Sequence, residues 1–300
     1  MKLFHAVSDL TLVDRYYDII NINYPHLAKL NILISYTFFD HQLPILQRLK
    51  QEGKIDSTFL DAGTFGDNPG GCNPGLVDNY DIYLAWIIDI GAHFDYISSF
   101  DDRFNEPDHN RLNYEDLRNE LGRYDAEHGT QLAAKLVPVI HSPEPTGGDD
   151  DGITPAEEFL GYIEDGATTI GIGSKPMISP RGMEEIKELV YAHNVRIHRF
   201  GNFDFKFIAR WQIESADSGR YFRSAQFGKE VWFWDSQENR PVRWDLRSSA
   251  PLPEEYRHTL DHVFGWTVND LLGGDVSNIW LVNIFSHQQM QHYLTATLGI

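Results

Sequence analysis

The chain has 300 residues, 42% hydrophobic and 13% aromatic, which supplies a large core and excludes a disordered polymer. Lys and Arg number 25 against 44 Asp and Glu, and the resulting net charge of −19 argues against a general nucleic-acid-binding surface. The single cysteine, Cys72, excludes an intramolecular disulfide and a cysteine-cluster zinc site and suggests a cytosolic protein.

Residues 1–29 hold a strand-like LFHAV and a helix-like LVDRYYDII, read as an N-terminal lead-in. Acids interrupt this segment too early for a signal peptide. Leu30 to Phe39 is an almost continuous apolar run, as in a strand buried on both faces. His41 to Gly53 reads as a helix closed by glycine. Thr58 to Phe65 is the next strand and carries Asp61. A Gly/Asn/Pro-rich loop and a long helix, Leu76 to Ala92, follow. Phe94 to Phe100 is a strand that runs into Asp101 and Asp102.

The alternation continues. Tyr114 to Glu127 reads as a charged amphipathic helix, and Leu136 to Ile140 as a strand ending at His141. Thr154 and Pro155 open a helix as N-cap and first helical residue. Thr168 to Ile172 is a strand, then Met183 to His193 a helix and Val195 to Phe200 a strand ending at Gly201. Helical spacing of Phe203, Phe207, Ile208 and Trp211 precedes a short strand that ends at Asp217. The segment VWFWD (231–235) is read as the closing strand. Two helices, Glu254 to Leu272 and Ser277 to Leu298, complete a single domain over residues 1–300. No stretch approaches the ~18 apolar residues of a membrane span. Strands and helices alternating every ~30–40 residues predict an α/β fold, a (β/α)8 TIM barrel with C-terminal helices. The rival open doubly wound sheet would want a Gly-rich phosphate turn after an early strand.

Asp61, Asp101, Asp102, His141, Gly171, Gly173, Gly201 and Asp217 all fall at predicted C-terminal strand ends, which converge on one cleft in a barrel. Each has a structural reading: aspartates as turn or cap residues, His141 as a core histidine, Gly171 and Gly173 as packing glycines. Five successive strand ends with polar or glycine residues, against strand bodies that are almost wholly apolar, argue for a site. Carboxylates in such a cleft can be divided by environment into an ionised nucleophile and a protonated acid. His258 and His262, four apart, lack a carboxylate at the spacing of a zinc motif, and no metal is expected. Arg220, Arg223 and Lys229 form either a solvated turn or a phosphate contact.

In order, Leu60-Asp61-Ala62-Gly63-Thr64-Phe65, Asp95 to Asp102, Ile170-Gly171-Ile172-Gly173, His198-Arg199-Phe200-Gly201-Asn202 and Ala216-Asp217-Ser218-Gly219-Arg220 resemble motifs of the tRNA-guanine transglycosylases and their phage and bacterial DNA-deazaguanine transglycosylase relatives. The likeness covers about residues 30 to 230. It implies exchange of guanine for a free 7-deazaguanine base through a glycosyl-aspartate. Asp217 would be the nucleophile and Asp61 the acid/base. Asp101 or Asp102 would read the base edge, together with His141 (where glutamine is usual), the backbone of Gly171, Ile172 and Gly173, and Gly201. The chain departs from the tRNA enzymes in lacking the cysteines of their zinc module and in having Ala62 beside the acid/base. It is also shorter and shows no obvious basic tRNA-docking region. These departures favour DNA over tRNA as the polymer, with Arg220, Arg223 and Lys229 on its phosphates. A cytoplasmic, phage-like protein without a cofactor or membrane partner is the expectation. A barrel hydrolase passing the same intermediate to water is the alternative; a non-enzymatic barrel is a third reading.

Overall fold

The computed structural model describes the chain except residues 36–41, 64–78, 102–105, 142–152, 174–177, 202–203, 219–229, 249, 274 and 300. Nine parallel strands form one sheet in the order β5-β4-β3-β2-β1-β9-β8-β7-β6. They are β1 (Lys2–Ala6), β2 (Leu30–Ser35), β3 (Ile55–Asp61), β4 (Tyr96–Ser98), β5 (Leu136–Val137), β6 (Val139–Ile140), β7 (Thr169–Ile172), β8 (Arg196–Arg199) and β9 (Ser215–Ser218). The edge strands β5 and β6 are consecutive in the chain and separated only by Pro138. They are two halves of one strand: the first pairs with β4 and the second with β7. Proline has no N–H to give a ladder, but the Pro138 carbonyl still accepts from the Gly171 N–H at 2.7 Å. The edges of the sheet therefore meet at one residue, and the architecture is a (β/α)8 barrel.

Helices α1 (Thr11–Ile20), α2 (Pro25–Ala28), α3 (Leu43–Gln51), α4 (Tyr80–Ile90), α5 (Pro107–His128), α6 (Pro155–Glu164), α7 (Pro180–His193) and α8 (Phe205–Trp211) connect the strands. Their starts follow local chemistry. Thr154 and Glu157 form the capping box of α6, with Pro155 in its first turn. The Ser179 hydroxyl caps α7 and the Asp204 carboxylate caps α8. Among the described residues, no helix is long and apolar enough to cross a membrane.

Three expectations are corrected. The supposed lead-in is the first barrel unit, β1 with α1, and β1 pairs with both β2 and β9. His5 interrupts its apolar pattern, yet His5 is fully buried against Gln288, with 3.0 Å between Nε2 atoms. The VWFWD segment does not close the barrel. It is β10 (Glu230–Asp235), paired antiparallel with β11 (Arg240–Asp245) in a separate hairpin. Buried Val231 and Phe233 alternate with half-buried Trp232 and Trp234, the period of a one-sided strand. The expected helix 254–272 is broken: α9 (Glu254–Thr259) ends in a π-helical turn, Leu260–Phe264, then Gly265 at φ +67° leads to α10 (Val268–Leu272).

The last helix, α11 (Val276–Leu298), packs along β1. Its Gln291 Oε1 accepts from the Leu3 N–H at 2.7 Å and from Asn31 Nδ2 at 3.1 Å. Higher on the same helix, Asn283 accepts from the Trp232 N–H at 2.7 Å and holds the hairpin.

The barrel interior is aromatic. Phe4, Leu33, Phe59 and Val137 form a buried cluster with Ala6, Tyr96 and Phe200 around it. The His198 ring sits among them, 4.7 Å from Phe59 and 4.4 Å from Phe200 between centroids. Phe200 fits because Gly171 has no side chain. A Cβ at position 171 would lie 2.4 Å from the Phe200 ring. Gly171→Ala should therefore overpack the interior and lower stability by about 1–3 kcal/mol. Thermal or urea unfolding checks this, and in the double variant Phe200→Leu should recover part of the loss.

Candidate active site

The strand ends bring three carboxylates into mutual electrostatic range. Asp61 is the last residue of β3, Asp101 follows β4, and Asp217 lies in β9 in register with Phe4. Asp101 and Asp217 are buried and Asp61 half-buried. The Asp61 carboxyl is pushed up to about 8, first by burial and then by the negative charges of Asp101 and Asp217. One donor works against that shift: the Gly63 N–H gives a 3.1 Å bond to Asp61 Oδ2. Gly63 adopts φ +67°, a left-handed conformation that favours glycine. The neighbouring Ala62 N–H is held by Ser98 Oγ at 2.8 Å, tying the end of β3 to β4.

Asp217 is oriented from two sides. Its Oδ1 accepts from the Gly201 N–H at 3.0 Å and lies 3.2 Å from His198 Nε2. Gly201 has φ +70°, a left-handed turn that aims its N–H back at β9. A carboxylate only accepts, so His198 donates from Nε2. Its Nδ1 lies 3.0 Å from Ser215 Oγ, which fixes the ring plane. Among the described residues, the contacts of Asp217 all fall on Oδ1, and Oδ2 has no hydrogen-bond partner.

Asp101 Oδ2 meets His141 Nε2 at 2.5 Å, a short and strongly oriented contact. The His141 main-chain N–H donates to Glu158 Oε2 of α6 at 3.1 Å. A Cβ on Gly173 would come within 2.7 Å of His141 Nδ1, so this glycine makes room for the ring.

Gly171, Ile172 and Gly173 have their backbone groups engaged in the fold. The N–H groups of Gly171 and Gly173 donate to Pro138 and Ile140, and the Ile172 carbonyl accepts from the Phe200 N–H at 2.9 Å. Buried Arg199 donates through Nη1 to the carbonyls of Ile172 and Gly173 and lies over the Phe207 ring at 5.5 Å. Burial lowers the Arg199 pKa from its ordinary value, and the charge of Asp217 partly restores it.

Of the residues singled out in the sequence, Asp61, Asp101, His141, Asp217 and Gly201 come together. Asp102, Arg220, Arg223 and Lys229 lie outside the described residues, as does Cys72. Among the described residues, no group of three or more His, Cys, Asp or Glu is placed to hold a metal ion. His198 stands in one of the resemblance motifs but is given no site role by the sequence, although it contacts Asp217. Its signal is parity: Arg196 and His198 are alternate residues of β8 and Phe200 follows two positions on, so an ionisable ring falls on the side that Phe200 shares.

The raised Asp61 pKa has a stability consequence. Unfolded Asp61 ionises near 3.8, but folded Asp61 stays protonated to about pH 8. The folded state therefore binds the extra proton between these values, and its stability falls across that window as pH rises. Asp61→Asn removes this penalty. Its melting temperature relative to the parent should be clearly higher at pH 8 than at pH 4, as differential scanning calorimetry at the two values would show.

No family model matches this chain. No curated protein matches it either. Solved structures do resemble it in backbone arrangement. One is a native KDPGal structure, at TM-score 0.42 and 10% identity, covering 74% of this chain and 84% of that one. Another is 3-keto-L-gulonate-6-phosphate decarboxylase from Vibrio cholerae, at TM-score 0.41 and 10% identity, covering 74% and 89%. A third is the carboxyl transferase domain of Rhizobium etli pyruvate carboxylase, at TM-score 0.44 and 15% identity, covering 96% of this chain and 48% of that one.

Proposed function

We propose that this protein is an enzyme, a base-exchange glycosyltransferase that replaces guanine in nucleic acid, DNA rather than tRNA, with a 7-deazaguanine base. The observation that carries this reading is the pairing of two unlike carboxyls at one barrel mouth. Asp61 is protonated up to about pH 8. Asp217 has one oxygen held by His198 and Gly201. An acid beside an oriented nucleophile is what displacement at an anomeric carbon requires.

The steps balance as follows. An Asp217 oxygen bonds to C1′ while the C1′–N9 bond breaks, and its electron pair leaves with guanine. Asp61 supplies the proton that the departing base takes up. The incoming base then gives its N9 proton to the Asp61 carboxylate. Its nitrogen bonds to C1′, the C1′–oxygen bond to Asp217 breaks, and both carboxyls return to their starting states. Two inversions give net retention. Asp101 and His141, locked together at 2.5 Å, face the same mouth and supply a base-edge contact. Ala62 offers no hydroxyl there, and its backbone is held by Ser98 instead. The choice of DNA rests on the missing zinc cysteines and on Arg220, Arg223 and Lys229 as phosphate contacts after Asp217. A target base in a duplex must leave the stack to reach this mouth.

The experiment is incubation of the protein with labelled 7-deazaguanine base and, separately, duplex DNA, single-stranded DNA and bulk tRNA. Label should enter DNA, with release of one guanine per label. Asp217→Asn should abolish incorporation, and Asp61→Asn should reduce it by ~10²–10⁴-fold. Parental activity should fall above about pH 8 as Asp61 loses its proton. Label in tRNA alone would overturn the choice of polymer. Guanine release without label uptake would mean that water takes the intermediate. No release from any polymer would remove the assignment.

A further inference from the structure

At the opposite, N-terminal end of the barrel, Lys2, Tyr96, Lys135, Thr169 and Arg196 line a cavity of about 310 Å³. Lys2 Nζ stands 5.4 Å from the centroid of the Tyr96 ring, and the Arg196 guanidinium carbon stands 5.8 Å from the same centroid. Two cations therefore share one aromatic ring. Neither lies within 4.0 Å of a carboxylate among the described residues. Lys2 donates instead to Ser57 Oγ at 2.6 Å, and Arg196 Nη1 reaches the Tyr96 hydroxyl at 3.4 Å.

Asp95 lines the same cavity and Glu214 lines the neighbouring one beside Lys2 and Arg196, and each has other partners. Asp95 Oδ2 accepts from the Thr58 N–H at 2.8 Å and the Thr58 hydroxyl at 2.9 Å, with Lys50 at 3.7 Å. Glu214 Oε2 accepts from the Ile197 N–H at 3.0 Å, and its Oε1 lies 3.9 Å from Lys187. Lys135 adds a third positive charge to the wall, and its Nζ donates to the carbonyls of Gly91 and Ala92. Thr169 is buried, lines the same cavity, and its hydroxyl has no partner among the described residues. Such a hydroxyl is costly unless a ligand satisfies it. In a chain of net charge −19, a cavity wall that carries Lys2, Lys135 and Arg196 against the one lining carboxylate, Asp95, whose Oδ2 is bonded to Thr58, favours an anion.

We infer that this N-terminal mouth is a phosphate-binding site, separate from the carboxylate centre and independent of the reaction proposed for it. The phosphate group sits between Lys2 and Arg196 and accepts from the Thr169 hydroxyl. Free phosphate and the phosphate of a small monoester share this chemistry.

Thermal unfolding at constant ionic strength tests it, with sodium phosphate or a nucleoside monophosphate replacing sodium chloride. A ligand that binds only the folded state raises the melting temperature in a saturable way. The parent should show that rise with phosphate. A larger rise with the monophosphate, and none with the unphosphorylated nucleoside, would identify an ester as the preferred source. Lys2→Met and Arg196→Met should each weaken the response at least tenfold in ligand concentration, while Arg196→Lys retains part of it. Thr169→Val should weaken it less. All four should keep the parental rate of base exchange. No saturable response in the parent up to ~50 mM phosphate would overturn the inference. So would an unchanged response in both methionine variants.

Discussion

Closure of the sheet at Pro138 is the constraint on which the rest depends. A parallel sheet of this length left open would splay its strand ends along a line. Because the two half-strands on either side of Pro138 pair with β4 and β7, the ends form a ring. The ring places Asp101 on one side of the closure and His141 on the other, and their 2.5 Å contact spans it. The same closure brings Gly171 beside Pro138 and so creates the slot that Phe200 fills. Stability and site geometry thus share residues: the ring that seals the interior is next to the turn whose Gly201 N–H holds Asp217.

The second determinant is repulsion among buried carboxylates. Three acids in one half-enclosed mouth cannot all ionise without compensation. Donors are distributed unequally. Among the described residues, Asp217 has a backbone N–H and a histidine ring, Asp101 has His141 among its partners, and Asp61 has the N–H of Gly63. Asp61 therefore carries the proton. The arrangement produces an acid and an oriented carboxylate from identical side chains by environment alone. Arg199 adds positive charge near Asp217 while its guanidinium is committed to the carbonyls of Ile172 and Gly173.

Much of this was legible in the sequence because barrel strands are apolar runs with polar ends. Asp61, Asp101, His141 and Asp217 could be read as a set, since each terminates such a run. What escaped lies where the pattern is broken by a satisfied polar group. His5 disguised β1 as a lead-in, and its compensation comes from Gln288, at the far end of the chain. His198 is inside a strand rather than at its end, and its partner Asp217 is on the next strand. The hairpin misled in the opposite direction: its aromatic residues look like a core strand, but Trp232 and Trp234 are only half-buried. The spaces beside Gly171 and Gly173 belong to Phe200 and His141, contacts that only the folded register creates.

The central claim is that Asp217 becomes covalently linked to the sugar. Its most direct test is to mix enzyme with nucleic acid in the absence of an incoming base, quench in denaturant, digest, and map the peptides by mass spectrometry. The account predicts a nucleic-acid-derived glycosyl adduct on the peptide containing Asp217, localised to that residue and discharged when a 7-deazaguanine base is added before the quench. An adduct on Asp61 or Asp101, or base exchange proceeding with no adduct on any aspartate, would contradict it.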